Sequence, residues 1–128
     1  RVALDLTEEW EKSSTEGDTK ATLITGVVIA RNDFIEAHPD AVETFLQQYE
    51  ASVNYVNDNV AEAAVLVGNY DIVAAQVAEK AIPECNITFI AGNDMKAKLS
   101  SYLGILFEQN PAAVGGALPN DDFYYNAD

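Results

Sequence analysis

Between Leu23 and Asn59 the hydrophobic pattern changes period once, and that change constrains the fold more than any other feature of the chain. Residues 23–30, Leu-Ile-Thr-Gly-Val-Val-Ile-Ala, are apolar on both faces and rich in β-branched side chains, the pattern of a central buried strand. Arg31, Asn32 and Asp33 end the run, and Asn32 or Asp33 can cap a short helical turn through Ala37. His38-Pro39-Asp40 then opens the main helix. Pro39 suits the first helical position, where a missing N–H leaves nothing unpaired, and the Asp40 carboxylate complements the positive end of the helix dipole. Val42, Phe45, Leu46, Tyr49, Val53 and Val56 recur at steps of three and four, which puts them on one stripe. Burying each is worth about 1.5–3 kcal/mol before chain entropy is subtracted. Glu43, Gln47, Gln48, Glu50 and Asn54 form the solvated face. A strand feeding a helix that packs back on its own sheet is the unit of an α/β domain, so α/β is the predicted class.

Two further strands are expected. Residues 2–6 alternate weakly, and residues 87–90 repeat the apolar, β-branched pattern. Thr7 is placed to cap the acidic turn of Glu8, Glu9, Trp10, Glu11 and Lys12, with Trp10 as its apolar anchor. Residues 13–20 read as a polar loop turning at Gly17. Asn59 can cap the next helix, with Glu62 as its capping-box partner. That helix, residues 60–67, is expected to stop at Gly68-Asn69, which tolerate a left-handed helix end. A shorter helix over residues 73–81 ends before Pro83. Gly92-Asn93-Asp94 supplies a turn and cap, and Met95, Leu99, Tyr102, Leu103 and Leu106 follow helical spacing up to Asn110-Pro111. The tail, residues 112–128, combines Gly115-Gly116 and Pro119 with Phe123, Tyr124 and Tyr125. Its glycines and proline predict irregular structure, and its aromatics predict docking on the body.

Composition narrows the function. Seven basic residues against 21 acidic ones give a net charge of −14, which leaves no basic patch for a nucleic-acid backbone or an anionic membrane. With 128 residues, 48% of them apolar, the chain reads as a single domain with a sufficient core. No run approaches the ~20 apolar residues of a membrane span. The sequence shows neither a starting Met nor a signal peptide, so a processed or trimmed chain is expected.

Chemistry-bearing residues are sparse. Cys85, the lone cysteine, cannot form an internal disulfide and is expected to be a buried thiol leading into a strand. Asn86-Ile87-Thr88 matches a glycosylation acceptor pattern and reads as accidental in a strand. His38, the lone histidine, sits at a helix start as a capping or surface residue. Gly115-Gly116 lacks the Lys-Ser/Thr of a phosphate loop, and the acid pairs Glu8-Glu9 and Asp121-Asp122 read as solvated. No cofactor, metal site or enzymatic activity is expected.

Several stretches together resemble a known family. These are Thr25-Gly26-Val27, the Arg31-Asn32-Asp33-Phe34 step, Pro39-Asp40-Ala41-Val42, and Phe45-Leu46 with Tyr49, Ser52 and Val53. Residues 2–10, 78–83, Cys85-Asn86-Ile87 and 115–125 extend the likeness over nearly the whole chain. The family is the substrate-binding proteins of ABC importers, in the group serving sulfonates, nitrate, taurine and thiamine precursors. Its members are two-lobed and well over twice this length, so the resemblance implies the C-terminal part of such a protein, with a partial periplasmic-binding-protein type II fold. It also implies an extracytoplasmic location, periplasmic or lipid-anchored to the outer face of the membrane, with an ABC permease as partner.

In such a protein a strand crossing between lobes lies close to the cleft. Thr25 and Gly26 are therefore the expected ligand contacts, Thr25 through its hydroxyl and Gly26 by allowing close approach. Alternatively, Gly26 only accommodates a neighbouring side chain. Two other functions stay open: a stand-alone acidic interaction module, and an enzyme resembling the group's thiamine-pyrimidine synthase, whose Cys-rich motif is missing here. Uncovered strand edges further imply that the chain by itself pairs as a dimer.

Overall fold

The computed structural model describes residues 3–13 and 22–126, and among these it is helical without a single strand. The α/β expectation with three short strands is therefore overturned. The strand expected over residues 2–6 is absent at residues 3–6, where Leu6 opens the first helix; Val2 lies outside the described residues. Residues 22–30 and 87–91 run without helix, turn or bend, and among the described residues no strand pairs with either. β-branched side chains favour straight backbone locally, but a strand exists only where a second backbone supplies the ladder.

Six α-helices make up the described chain: α1 (Leu6–Ser13), α2 (Asn32–Ala37), α3 (Pro39–Asp58), α4 (Val60–Asn69), α5 (Ala75–Ala81) and α6 (Gly92–Gln109). Three 3₁₀ turns, Ile82–Glu84, Pro111–Val114 and Asp121–Phe123, complete it. The chain divides into two compact units. One comprises Arg1–Val28 and Ile90–Asp128; the other is the intervening segment Ile29–Phe89. Both passages between them, after Val28 and after Phe89, fall within the two straight runs.

The unit Ile29–Phe89 holds most of the buried side chains. α4 and α5 are rich in alanine, so their backbones can approach closely, and Ala63, Ala64, Ala78 and Ile82 form a core flanked by Val56, Val60, Val67 and Ile87. On α3 the buried stripe is Val42 and Val53, with Leu46 and Val56 half-buried. Phe45 and Tyr49, expected on that stripe, lie at its margin as a stacked pair whose rings are 5.6 Å apart, and Phe45 remains 46% exposed. Phe89 meets Tyr49 edge-on at 5.6 Å, while Asn57 Nδ2 donates to the Ile87 carbonyl at 2.9 Å. Together these tie the straight run after α5 back onto α3.

Several local expectations are corrected by the caps. Asp5, not Thr7, opens α1: its Oδ1 accepts from the backbone N–H groups of Thr7 and Glu8. Asn59 does not cap α4 through its side chain. It closes α3 instead, donating to the Tyr55 carbonyl, and Glu62 accepts from the Tyr55 hydroxyl rather than completing a capping box. Helix α4 continues through Gly68 and Asn69, and the left-handed residue is Asp71, at φ 54°. Gly68 is small for another reason: a Cβ there would lie 3.1 Å from the Ala75 side chain. Cys85, expected buried, is exposed between the Ile82–Glu84 turn and Asn86, whose φ is 50°.

In the other unit, Trp10 of α1 packs on Tyr102 of α6 with ring centroids 5.3 Å apart. The helix stop at Asn110-Pro111 forms as the sequence predicts: the Asn110 side chain accepts from Ala112 N–H, and Gly115 takes the left-handed conformation at φ 79°. Beyond it, Lys96 pairs with Asp121 at 2.9 Å and Asn126 donates to Asn93 at 3.2 Å. Tyr124 is buried, Tyr125 half-buried, and Phe123 lies exposed across the edge of Tyr124. Deleting residues 123–128 is accordingly expected to cost about 2 kcal/mol, read as a lower midpoint in urea unfolding. An unchanged midpoint would show that Tyr124 contributes nothing to the fold.

Candidate functional site

Thr25 and Gly26 lie in the straight run 22–30, which the chain keeps open for lack of any internal ladder. Both are exposed. A Cβ built on Gly26 meets nothing within 4 Å, so the glycine is not there to admit a neighbouring side chain. Its φ is not in the left-handed region either, so no turn requires it. Val27 and Val28, at 58% and 56% exposure, continue the same surface. Among the described residues no hydrogen bond reaches the backbone from Thr22 to Ala30. The run thus presents the exposed Thr25 hydroxyl and a row of unpaired amide and carbonyl groups on an otherwise apolar strip, with Thr22 half-buried at its start. Its polar chemistry is that of peptide groups and threonine hydroxyls, suited to hydrogen-bonding and not to bond breaking.

The run ends in a charged clamp. Arg31 Nε donates to Asp33 Oδ1 at 2.9 Å, and the Arg31 Nη2 donates to Asp33 Oδ2. This pairing holds the guanidinium pKa above its ordinary value and the Asp33 carboxyl below its own. Both side chains are largely in water, so the pair orients the start of α2 more than it stabilises the fold. Asp33 Oδ1 also accepts from Phe34 N–H, fixing the first turn.

Among the described residues no other group of chemistry-bearing side chains converges. His38 begins α3 without a side-chain capping bond, its ring 4.9 Å from that of Phe34. Cys85 is exposed. Among the described residues no three His, Cys, Asp or Glu side chains gather as metal ligands. No helix among them is long and apolar enough to cross a membrane.

The Tyr55 hydroxyl, 2.8 Å from Glu62 Oε2, has its pKa raised first by that hydrogen bond, then by desolvation and by the carboxylate's charge. A raised phenol pKa means the folded state holds its proton more tightly. The contribution is therefore complete below the unfolded value of about 10 and is lost as pH rises through the folded value. In an ultraviolet titration of the six tyrosines, one is expected to ionise late, and Glu62→Gln should return it to the others. A titration unchanged by that substitution would show that the bond does not form in solution.

No family model, no curated protein and no solved structure matches the chain. The likeness to ABC-importer binding proteins therefore stands on the sequence stretches that carry it.

Proposed function

We propose that the chain is part of an extracytoplasmic solute-binding protein that captures a small organic ligand of the sulfonate, nitrate, taurine or thiamine-precursor class. The captured ligand is handed to an ABC permease. The observation that carries this reading is the placement of Thr25 and Gly26. Within the stretch that resembles the family, they sit on an exposed run with a free hydroxyl, free backbone groups and open space above the glycine. A small polar anion or heterocycle could take hydrogen bonds from such peptide N–H groups without any charged side chain. Binding selects one conformation of the intact protein, and it is that conformation the permease reads. The proposal is for binding without catalysis: the His38 ring packs on that of Phe34, and the likeness to the pyrimidine synthase lacks its Cys-rich motif.

Calorimetric titration of the gene's full translation product against taurine, an alkanesulfonate, nitrate, an aromatic carboxylate and an aminopyrimidine tests this reading. One of them is expected to bind at micromolar concentration, and Thr25→Ala or Gly26→Val to weaken it at least tenfold. Absence of binding across the panel would remove the proposal. A second reading, an acidic interaction module, is favoured by the apolar tip between α4 and α5, where Tyr70 and Ile72 are 78% and 73% exposed. Tyr70→Ala with Ile72→Ala separates the two, because it should leave small-ligand binding intact.

A further inference from the structure

Asn86-Ile87-Thr88 has the residue types of an N-linked glycan acceptor, and a strand is what would hold it out of a transferase's reach. No strand forms there. Cys85 and Asn86 make a turn after the Ile82–Glu84 3₁₀ turn, and residues 87–91 run straight. Among the described residues no backbone–backbone hydrogen bond involves residues 86–90, so a transferase has no ladder to break. Ile87 is half-buried against the core of Ala63, Ala64, Ala78 and Ile82, and its carbonyl accepts from Asn57 Nδ2 at 2.9 Å. Asn86 and Thr88, on either side of it in sequence, are both exposed. No side-chain hydrogen bond among the described residues engages either of them. The residue whose identity the pattern leaves free is thus the anchor, and the two that the pattern fixes face water. Asn86 has φ 50°, a left-handed conformation that Asn tolerates better than most residues, which sets it at a bend of the chain. Glu84, exposed two residues earlier, adds a carboxylate that a cationic subsite of a transferase can hold.

From these features we infer that Asn86 is an acceptor site for an N-linked glycan on the folded chain, with Thr88 and Glu84 read beside it. The co-substrate is an oligosaccharide joined through its C1 to a polyprenyl diphosphate. Asn86 Nδ2 attacks C1, the C1–O bond breaks, and the diphosphate leaves with the electron pair. One Nδ2 proton passes to a carboxylate of the transferase, so nothing is oxidised or reduced. An amide nitrogen is a weak nucleophile because its lone pair is shared with the carbonyl. The Thr88 hydroxyl gives the transferase a hydrogen-bonding group with which to position it. A glycan there is bulky and hydrophilic, and it displaces no buried side chain of the Ile29–Phe89 unit. Transferases of this kind act outside the cytoplasm, so the natural encounter rests on the extracytoplasmic location proposed above, whereas the accessibility of Asn86 does not.

The test is therefore made with purified components, apart from location and from any small ligand, so the solute-binding reading stands or falls separately. The folded 128-residue chain is incubated with a single-subunit oligosaccharyltransferase and a polyprenyl-diphosphate oligosaccharide, and its intact mass is followed. It is expected to gain one glycan, mapped to Asn86, at a rate within tenfold of that for a free peptide of residues 82–90. Asn86→Asp keeps a residue that tolerates the left-handed conformation and removes the amide, while Thr88→Val keeps the shape and removes the hydroxyl. Each should abolish transfer with the helical circular-dichroism signal unchanged, and Glu84→Gln should slow it at least tenfold. Transfer to the peptide but not to the folded chain would overturn the inference, because the fold would then withhold Asn86. So would transfer to neither, or a glycan that persists in Asn86→Asp.

Discussion

Val53→Asp is expected to unfold the segment Ile29–Phe89, with a loss of about 3–5 kcal/mol. Val53 is 5% exposed on α3, which packs against α4 and the Ile82–Glu84 turn. A carboxylate there would lose its water without gaining a cation, since the unit's basic residues are only Arg31 and Lys80, and Arg31 already pairs with Asp33. Against a total stability of about 5–15 kcal/mol for an ordinary domain, that is a large share. Phe45→Asp makes the control. Phe45 keeps nearly half its surface in water and contributes mainly its stack on Tyr49, so its loss is expected to cost about 1 kcal/mol. Urea unfolding followed by circular dichroism checks both. Equal midpoints for the two variants would mean that the buried stripe of α3 has been misplaced.

Gly68→Leu should be nearly as damaging, for the opposite reason. The glycine's missing Cβ lies 3.1 Å from the Ala75 side chain and 3.2 Å from its backbone nitrogen. Any larger residue must push α5 away from α4, and with it Ala78 from the core it shares with Ala63 and Ala64. Overpacking of this kind costs about 3 kcal/mol, because the obstacle is backbone and cannot rotate aside. The second substitution Ala75→Gly removes the Cβ but leaves the backbone nitrogen at 3.2 Å, so it should restore only part of the loss. Melting temperatures of the single and double variants decide it. A harmless Gly68→Leu would show that α4 and α5 stand farther apart than these contacts require.

The parts legible in the sequence are those fixed by local chemistry. Pro39 sets the start of α3, and Asn110-Pro111 ends α6 within one residue of the expected place, because each acts on its own backbone. The strands were not legible, since pairing belongs to two segments at once. Leu23 to Ala30 keeps the straightness its side chains favour and finds no ladder. Caps failed where two choices competed: Asn59 borders both α3 and α4, and its amide serves the earlier helix. Phe45 lies on the stripe by spacing alone, but only packing reveals that the buried arc turns toward Val42 and Val53. For the candidate site, the sequence singled out Thr25 and Gly26 but carried no sign that Gly26 faces open space. Nor did it show that Tyr70 and Ile72 would stand out at the tip between α4 and α5.

The chain forms its helices while residues 22–30 find no ladder among the described residues. Amide hydrogen exchange across residues 23–30, measured at several protein concentrations, tests it most directly. Those amides are expected to exchange as fast as free peptide in dilute solution, while those of α3 and α4 stay protected throughout. Slow exchange in residues 23–30 at the lowest concentration, independent of dilution, would mean that the run is already paired within one chain and would contradict the account.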